Sequence, residues 1–245
     1  MNRQTAPIEQ TLDGVSLQDR IRIALEEDIN QGRLRPGDAL KEQLLCERFH
    51  ASRTPIREAI LLLSARGLID IIPRSGIYIK RLGARKIIAI MEGLAELEAV
   101  LARLAAQRVS EVQKQQLLAS LAQTQVHAQA ANSAAYAQAN AALHELIYQS
   151  SANEFIAEQT QHARLRIAPY RTHMFAKPER LLQSQEEHQR IVQAIVQGDG
   201  EAAAQAMRTH ISAGGQAFVE AALRAPSFES VPKKSKRGTG RERLA

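Results

Sequence analysis

The chain has 245 residues, room for two compact domains, with 44% hydrophobic residues to build cores and a formal net charge of +6. No apolar run approaches the ~20 residues that span a bilayer, and the start lacks a signal-peptide pattern, so a soluble, cytoplasmic protein is expected, without a membrane partner. The single cysteine, Cys46, excludes internal disulfides and a thiolate metal cluster; set among Leu44, Leu45 and Phe49, it reads as a buried structural thiol.

Residues 1–16 carry no hydrophobic period and are expected to be disordered. A helix is predicted over Leu17–Gln31, with Ile21, Ala24, Leu25 and Ile29 on its apolar face, stopping at Gly32 before the turn Leu34-Arg35-Pro36-Gly37. A second helix is expected over Lys41–Phe49, with Leu44, Leu45 and Phe49 turned inward. Next comes Ser52-Arg53-Thr54-Pro55-Ile56-Arg57, with Thr54 as N-cap and Pro55 at the first helical position. Ile56, Ala59, Ile60 and Leu63 recur at helical spacing, which predicts a buried stripe on a helix ending at Gly67. Ser52, Arg53, Thr54 and Arg57 crowd the other side of its start. Hydroxyls and guanidiniums around a helix N-terminus suit phosphates and guanine edges, so this is read as a DNA-recognition helix.

The period then changes from 3.6 to 2. Leu68–Ile72 and Gly76–Lys80 are predicted strands joined by Pro73-Arg74-Ser75-Gly76. Three helices and a basic-tipped hairpin describe a winged helix-turn-helix over residues 17–82, with the wing approaching the DNA backbone or minor groove. Arg33, Arg48 and Arg66 are read as solvated surface residues.

After a junction at 83–85, residues 86–224 show no credible strand. Helices are predicted over Lys86–Arg108, Glu111–Ala130, Ala134–Ser150, Glu154–Phe175, Glu179–Gln197 and Glu201–Leu223. The fold class is therefore mainly α: a winged helix-turn-helix followed by an antiparallel bundle of about six helices. His144, His188 and His210 fall on three of those helices, each beside core-type residues, and Asn140 lies one turn before His144. If they converge, three imidazoles and one amide oxygen make a divalent-metal site of the zinc, nickel or manganese type. The alternative is a hydrogen-bonded histidine cluster that touches an effector directly. Residues 225–245 form a basic tail, including Lys233-Lys234-Ser235-Lys236-Arg237, that is expected to be disordered. Either it adds non-specific attraction to DNA or it is inert. Residues 1–86 hold 15 Lys/Arg against 11 Asp/Glu, residues 87–225 hold 11 against 13 and the last twenty hold 6 against 2. Basic ends around a slightly acidic middle fit a DNA module followed by a domain that does not bind DNA.

The stretch GRLRPGDALKEQLLCERFHASRTPIREAILLLSARGLIDIIPRSGIYI resembles the DNA-binding domain of the GntR family of bacterial transcription regulators. The resemblance implies DNA contacts from Arg35, Ser52, Arg53, Thr54, Arg57, Arg74 and Gly76, with Arg53 and Arg57 reading guanines. MEGLAELEAVLARLAAQR, NAALHELIY and EEHQRIVQAIVQGDGEAAAQAMRTHI resemble the FCD effector-binding domain of the FadR-type subfamily. Many of its members bind a divalent metal through three histidines, matched here by His144, His188 and His210, and an acidic residue four before the first. This chain has Asn140 there, and a neutral ligand leaves the site one negative charge poorer. It also has Leu94 where the pattern often places an arginine, which implies a different effector. Such regulators often sense small organic acids, and Arg164, Tyr170, Arg171 and Arg208 are candidate effector contacts, the alternative being a solvated basic face.

The reading that follows is a homodimeric, ligand-responsive regulator, a repressor, on a pseudo-palindromic double-stranded DNA operator, and not an enzyme. The competing reading is a metal-dependent enzyme on the bundle. His144-Glu145-Leu146-Ile147-Tyr148 superficially resembles the zinc-protease motif, but Tyr148 stands in place of the second histidine.

Overall fold

A computed structural model describes residues 14–171, 175 and 177–224, with the backbone alone for residues 171 and 216–224. The basic tail and nearly all of the N-terminal segment expected to be disordered lie outside the described residues.

Helix α1 spans Leu17–Asn30, and Ser16 caps it: its Oγ accepts from the Asp19 amide at 3.2 Å, satisfying a donor that a helix start leaves open. Ile21, Leu25 and Ile29 are buried as the period predicts, whereas Ala24 is half-buried. Asp28 is buried on the same face, 2% exposed. A buried carboxylate needs compensation, and Arg33 (Nε to Oδ1, 2.7 Å) and Arg48 both pair with it. Arg66 likewise pairs with Glu26. These three arginines, expected to be merely solvated, tie α1 to the elements around it.

Helix α2 covers Glu42–Phe49 and α3 covers Arg53–Ala65. On α2 only Leu45 is fully inward. Leu44 is 56% exposed because adjacent helical residues point ~100° apart, and Cys46 is half-buried rather than buried. On α3 the stripe Ile56, Ala59, Ile60, Leu63 is buried as expected. The N-cap, however, is Ser52, not Thr54, and its side chain makes no capping bond. Pro55 therefore falls at the third helical position. The first four helical N–H groups have no partner within the helix, so proline is tolerated throughout the first turn and does not mark its first residue.

The wing contains strands β2 (Ile69–Ile72) and β3 (Gly76–Ile79), and β3 also pairs with a two-residue strand β1 (Ala39–Leu40) that no period predicts. The sheet is antiparallel in the order β1-β3-β2, with Leu40 opposite Ile77 and Ile71 opposite Ile77 on the other edge.

The second domain consists of α4 (Ala84–Arg108), α5 (Glu111–Gln129), α6 (Ser133–Ser150), α7 (Glu154–Arg171), α8 (Pro178–Gln197) and α9 (Gly200–Arg224). A capping box between Ser110 and Gln113 starts α5, and the Asn132 side chain caps α6. The core gathers Leu94, Leu101, Leu117, Leu143, Ile147 and Ile191. Helix α7 runs to Arg171, the last described residue before 175, and contains Pro169, which cannot donate to the carbonyl of Leu165; Phe175, expected to end the helix, lies in a turn.

Helix α7 also joins the domains. Leu165 packs against the core of the winged first domain, and the Tyr170 hydroxyl accepts from the Leu82 amide at 2.7 Å. Tyr170→Phe removes that acceptor from a part-buried donor, an effect worth about 1–3 kcal/mol. The expected result is a lower urea midpoint together with faster exchange of the Leu82 amide. Unchanged exchange would show that the bond does not hold the junction in solution.

Candidate functional site

Two sites emerge, one in each domain. In the first, Arg35, Ser52, Arg53, Thr54, Arg57, Arg74 and Gly76 are all exposed. Helix α3 presents four of them because its apolar stripe turns the opposite side to solvent. Gly76, at φ 138°, adopts a backbone conformation that side-chain-bearing residues rarely reach, and Arg74 at the tip has φ 62°. Tyr78 steadies this turn, its hydroxyl donating to the Ser75 carbonyl at 3.0 Å. Arg57 is not a free cation. Its Nε and Nη2 both reach Glu42 at the start of α2, each at 3.0 Å, which orients the guanidinium. Glu42 was not foreseen from sequence.

In the bundle, α6, α8 and α9 bring His144, His188 and His210 together. All three are buried, with ligand nitrogens within 4.8 Å of one another. Two glutamates that the sequence reading overlooked set their orientation. Glu98 on α4, with no solvent exposure, lies 2.8 Å from His144 Nδ1, and Glu187 on α8 lies 2.7 Å from His210 Nδ1. A carboxylate only accepts, so beside Glu187 the His210 Nδ1 carries the proton and its Nε2 keeps a lone pair, whereas His144 Nδ1 lies 2.8 Å from both an acceptor, Glu98 Oε2, and a donor, Arg164 Nη2. This is the carboxylate–histidine arrangement that prepares an imidazole for a metal. His188 Nε2 lies 3.3 Å from His144 Nε2, while its Nδ1 lies 3.3 Å from the Tyr136 hydroxyl.

Burial pushes the imidazoles towards neutrality. His144 falls to about 3, first through desolvation and then through the nearby Arg164, against the opposing pull of Glu98. Desolvation likewise lowers His188, helped by the neighbouring histidines, and His210, where Glu187 opposes it. Burial alone would raise the Glu98 carboxyl, but Arg164 and His144 outweigh it and hold it well below the usual range. Arg164 grips Glu98 bidentately, Nε to Oε1 at 2.8 Å and Nη2 to Oε2 at 2.7 Å. Arg180 holds Glu187 in the same way through Nη1 and Nη2 at 3.1–3.2 Å.

The residues present fit a divalent cation. Zinc–nitrogen bonds of ~2.0–2.1 Å place ligand nitrogens roughly 3.3 Å apart across a tetrahedral angle, which matches the His144–His188 separation. Asn140, 2% exposed and one turn before His144, has an Oδ1 with no hydrogen-bond partner among the described residues. A buried oxygen without a donor is suited to a cation.

Of the effector candidates, the structure brings only Arg164 to the histidines. Tyr170 is at the domain junction. Arg208 is half-buried and paired with Glu96, Nε to Oε1 at 2.9 Å, because two residues along a helix turn it away from His210. The Arg171 side chain lies outside the described residues. Arg180, not anticipated from sequence, lines a cavity beside the centre with Met91, Leu94, Glu98, Arg164 and His210.

Residues 89–213 match the FCD domain, and residues 17–79 match the bacterial regulatory proteins of the gntR family. The chain is a GntR-family regulator with an FCD domain. It is 27% identical over 190 residues to the HTH-type transcriptional repressor RspR of Escherichia coli K12, covering 76% of this chain and 82% of that one. To the HTH-type transcriptional regulator LutR of Bacillus subtilis it is 28% identical over 205 residues, covering 75% and 93%. Its fold resembles that of E. coli McbR/YncC, with a TM-score of 0.76 at 21% identity, over 84% of this chain and 99% of that one. A putative GntR regulator from Rhodococcus sp. RHA1 gives a TM-score of 0.68 at 18% identity, over 84% and 99%. This GntR-family protein is thus a ligand-responsive, DNA-binding transcription regulator. Its family consists of regulators, which removes the enzyme reading. No described helix is long and apolar enough to cross a membrane.

Arg164→Ala would leave Glu98 buried and without its counter-charge. The expected loss is about 3–5 kcal/mol in bundle stability, measured by chemical denaturation. Glu98→Leu combined with Arg164→Leu should recover most of it, because an apolar pair needs no compensation. A single variant as stable as the parent would overturn this account of the ion pair.

Proposed function

We propose that this regulator is a homodimeric repressor, acting in the cytoplasm, that releases a pseudo-palindromic operator when a small organic acid enters the bundle. One observation carries the reading: three buried, neutral imidazoles, two of them oriented by Glu98 and Glu187, lie on the bundle side of a helix that also packs against the DNA-binding domain. The repressor sense follows the name of the relative RspR.

His144, His188 and His210 would hold a divalent metal through Nε2, with Asn140 Oδ1 as a fourth ligand. A zinc-, nickel- or manganese-type ion there would supply Lewis-acid coordination for an effector carboxylate. The protein's own part is orientation: Glu98 and Glu187 fix two rings, Arg164 and Arg180 fix those glutamates, and the apolar walls exclude water. Asn140 adds no negative charge, so metal affinity should be modest.

At the DNA, Arg53 and Arg57 are assigned to guanine edges, and Arg35, Ser52, Thr54 and the wing residues Arg74 and Gly76 to backbone positioning. Two copies related by a two-fold axis would place two such helices on two half-sites.

Arg57→Ala should weaken operator binding by the ~1–3 kcal/mol that one bidentate base contact is worth, and low-salt binding to random DNA should survive. An unchanged footprint would refute the assignment of α3 as the reading helix. Dialysis against a chelator should lower the melting temperature of the full chain, and zinc should restore it in the parent but not in His188→Ala. Identical behaviour of the two proteins would refute the metal site.

A further inference from the structure

The cavity beside the histidines contains two guanidiniums, and they are not equivalent. Arg164 turns Nε and Nη2 onto Glu98, so the edge that would take a ligand carboxylate already holds the protein's own. Arg180 holds Glu187 through Nη1 and Nη2 only. Its Nε–H is buried with no acceptor among the described residues, on a side chain of a residue only 8% exposed. A buried guanidinium donor without a partner is costly, and the residue lines the cavity, so a ligand acceptor is what it lacks.

The rest of the wall limits what that ligand can be. Met91, Leu94, Ile167 and Ile211 supply apolar surface around Arg180. Glu98 borders the same cavity, and Glu187 is bound to Arg180 itself. One ligand carboxylate would reach both Arg180 Nε and an ion held by the histidines, so a second anionic group would meet these carboxylates without finding an unoccupied arginine edge. The cavity holds about 20 Å³, little more than the ~10–15 Å³ that admits one water, so a ligand must displace a side chain as it enters. Met91, unbranched with three rotatable bonds, is the wall residue best able to yield.

We infer that the effector is a small monocarboxylate with a short apolar body, anchored by Arg180 Nε and not by Arg164, and selected over dicarboxylates by Glu98 and Glu187. This rests on the bundle cavity being the effector site proposed above.

The test uses the full chain with butanoate, lactate, succinate and glutarate as probes, read by calorimetry and by the arginine Nε–H signals in nitrogen-15 NMR spectra. Butanoate or lactate should bind at least tenfold more tightly than either dicarboxylate and should shift the Arg180 Nε–H signal, identified by its loss in Arg180→Lys. Arg180→Lys keeps a cation against Glu187 but has no Nε, and should weaken binding tenfold or more. The Arg164 Nε–H, which stays on Glu98, should not shift. Triple-resonance assignment of the unaltered protein identifies the same signal independently, so the NMR shift stands even if the variant folds poorly. A shift confined to Arg164 would overturn the anchor and leave the cavity as the effector site. Carboxylate binding that shifts neither arginine would overturn both the anchor and the proposed site. Tighter binding of a dicarboxylate, or no binding of any of the four acids, would overturn the monocarboxylate class.

Discussion

Glu98 has no contact with solvent, and keeping it ionised is the constraint on which the bundle's chemistry depends. Taking a carboxylate out of water costs several kcal/mol, and here the compensation comes from Arg164 on α7 and His144 on α6. Two helices are thereby fixed to one side chain of α4. The same construction recurs across the centre, where Arg180 holds Glu187 and Glu187 holds His210. A well-packed apolar pair would stabilise the fold as well as or better than such an ion pair. What leucine or methionine could not do is accept from an imidazole Nδ1 and so fix the ring beside the other two histidines. The buried charges are better understood as the means of orienting the histidines than as a source of stability.

Elements governed by one period were legible in the sequence. The stripe Ile56, Ala59, Ile60, Leu63 needed only 3.6-residue spacing, and the helix breaks in the bundle were signalled by Ser110, Asn132 and Gly198. What could not be read was set by contacts distant in sequence. Strand β1 is two residues long and forms because Ala39 and Leu40 meet Tyr78 and Ile77, an edge that local propensity does not encode. Leu44 was placed inside because it is apolar, yet with Leu45 turned to the core its neighbour had to face solvent.

At the site, the histidines stood out because they interrupt apolar stripes. Glu98 interrupts one too, four residues after Leu94 and three before Leu101, and Arg180, Ser184, Glu187 and Ile191 share one buried face of α8. A charge reads from sequence as a sign of solvent, which conceals both glutamates and Arg180. Arg208 was the opposite error. Closeness to His210 in sequence suggested closeness in space, but two helical steps rotate a side chain by ~200°.

Helix α7 connects the two halves of the molecule through adjacent residues. Arg164 is clamped to Glu98, Leu165 packs in the core of the DNA-binding domain, Arg166 lies beside Gly67 just past the end of α3, and Tyr170 holds the Leu82 amide. A packed helix moves as a unit, so Arg164 cannot shift with Glu98 unless Leu165 and Arg166 shift against the other domain. Close-packed interfaces respond to such shifts by changing between discrete arrangements and not by bending continuously. Pro169, in the last turn before Arg171, weakens the helix between the clamp and the junction tyrosine. The ion pair at one end and the hydrogen bond at the other can therefore alter partly independently, while Leu165 and Arg166, on the clamp side of that proline, must follow the effector site. The described contacts thus offer a signal from the histidines to α3 a route through Glu98, Arg164 and the adjoining Leu165 and Arg166.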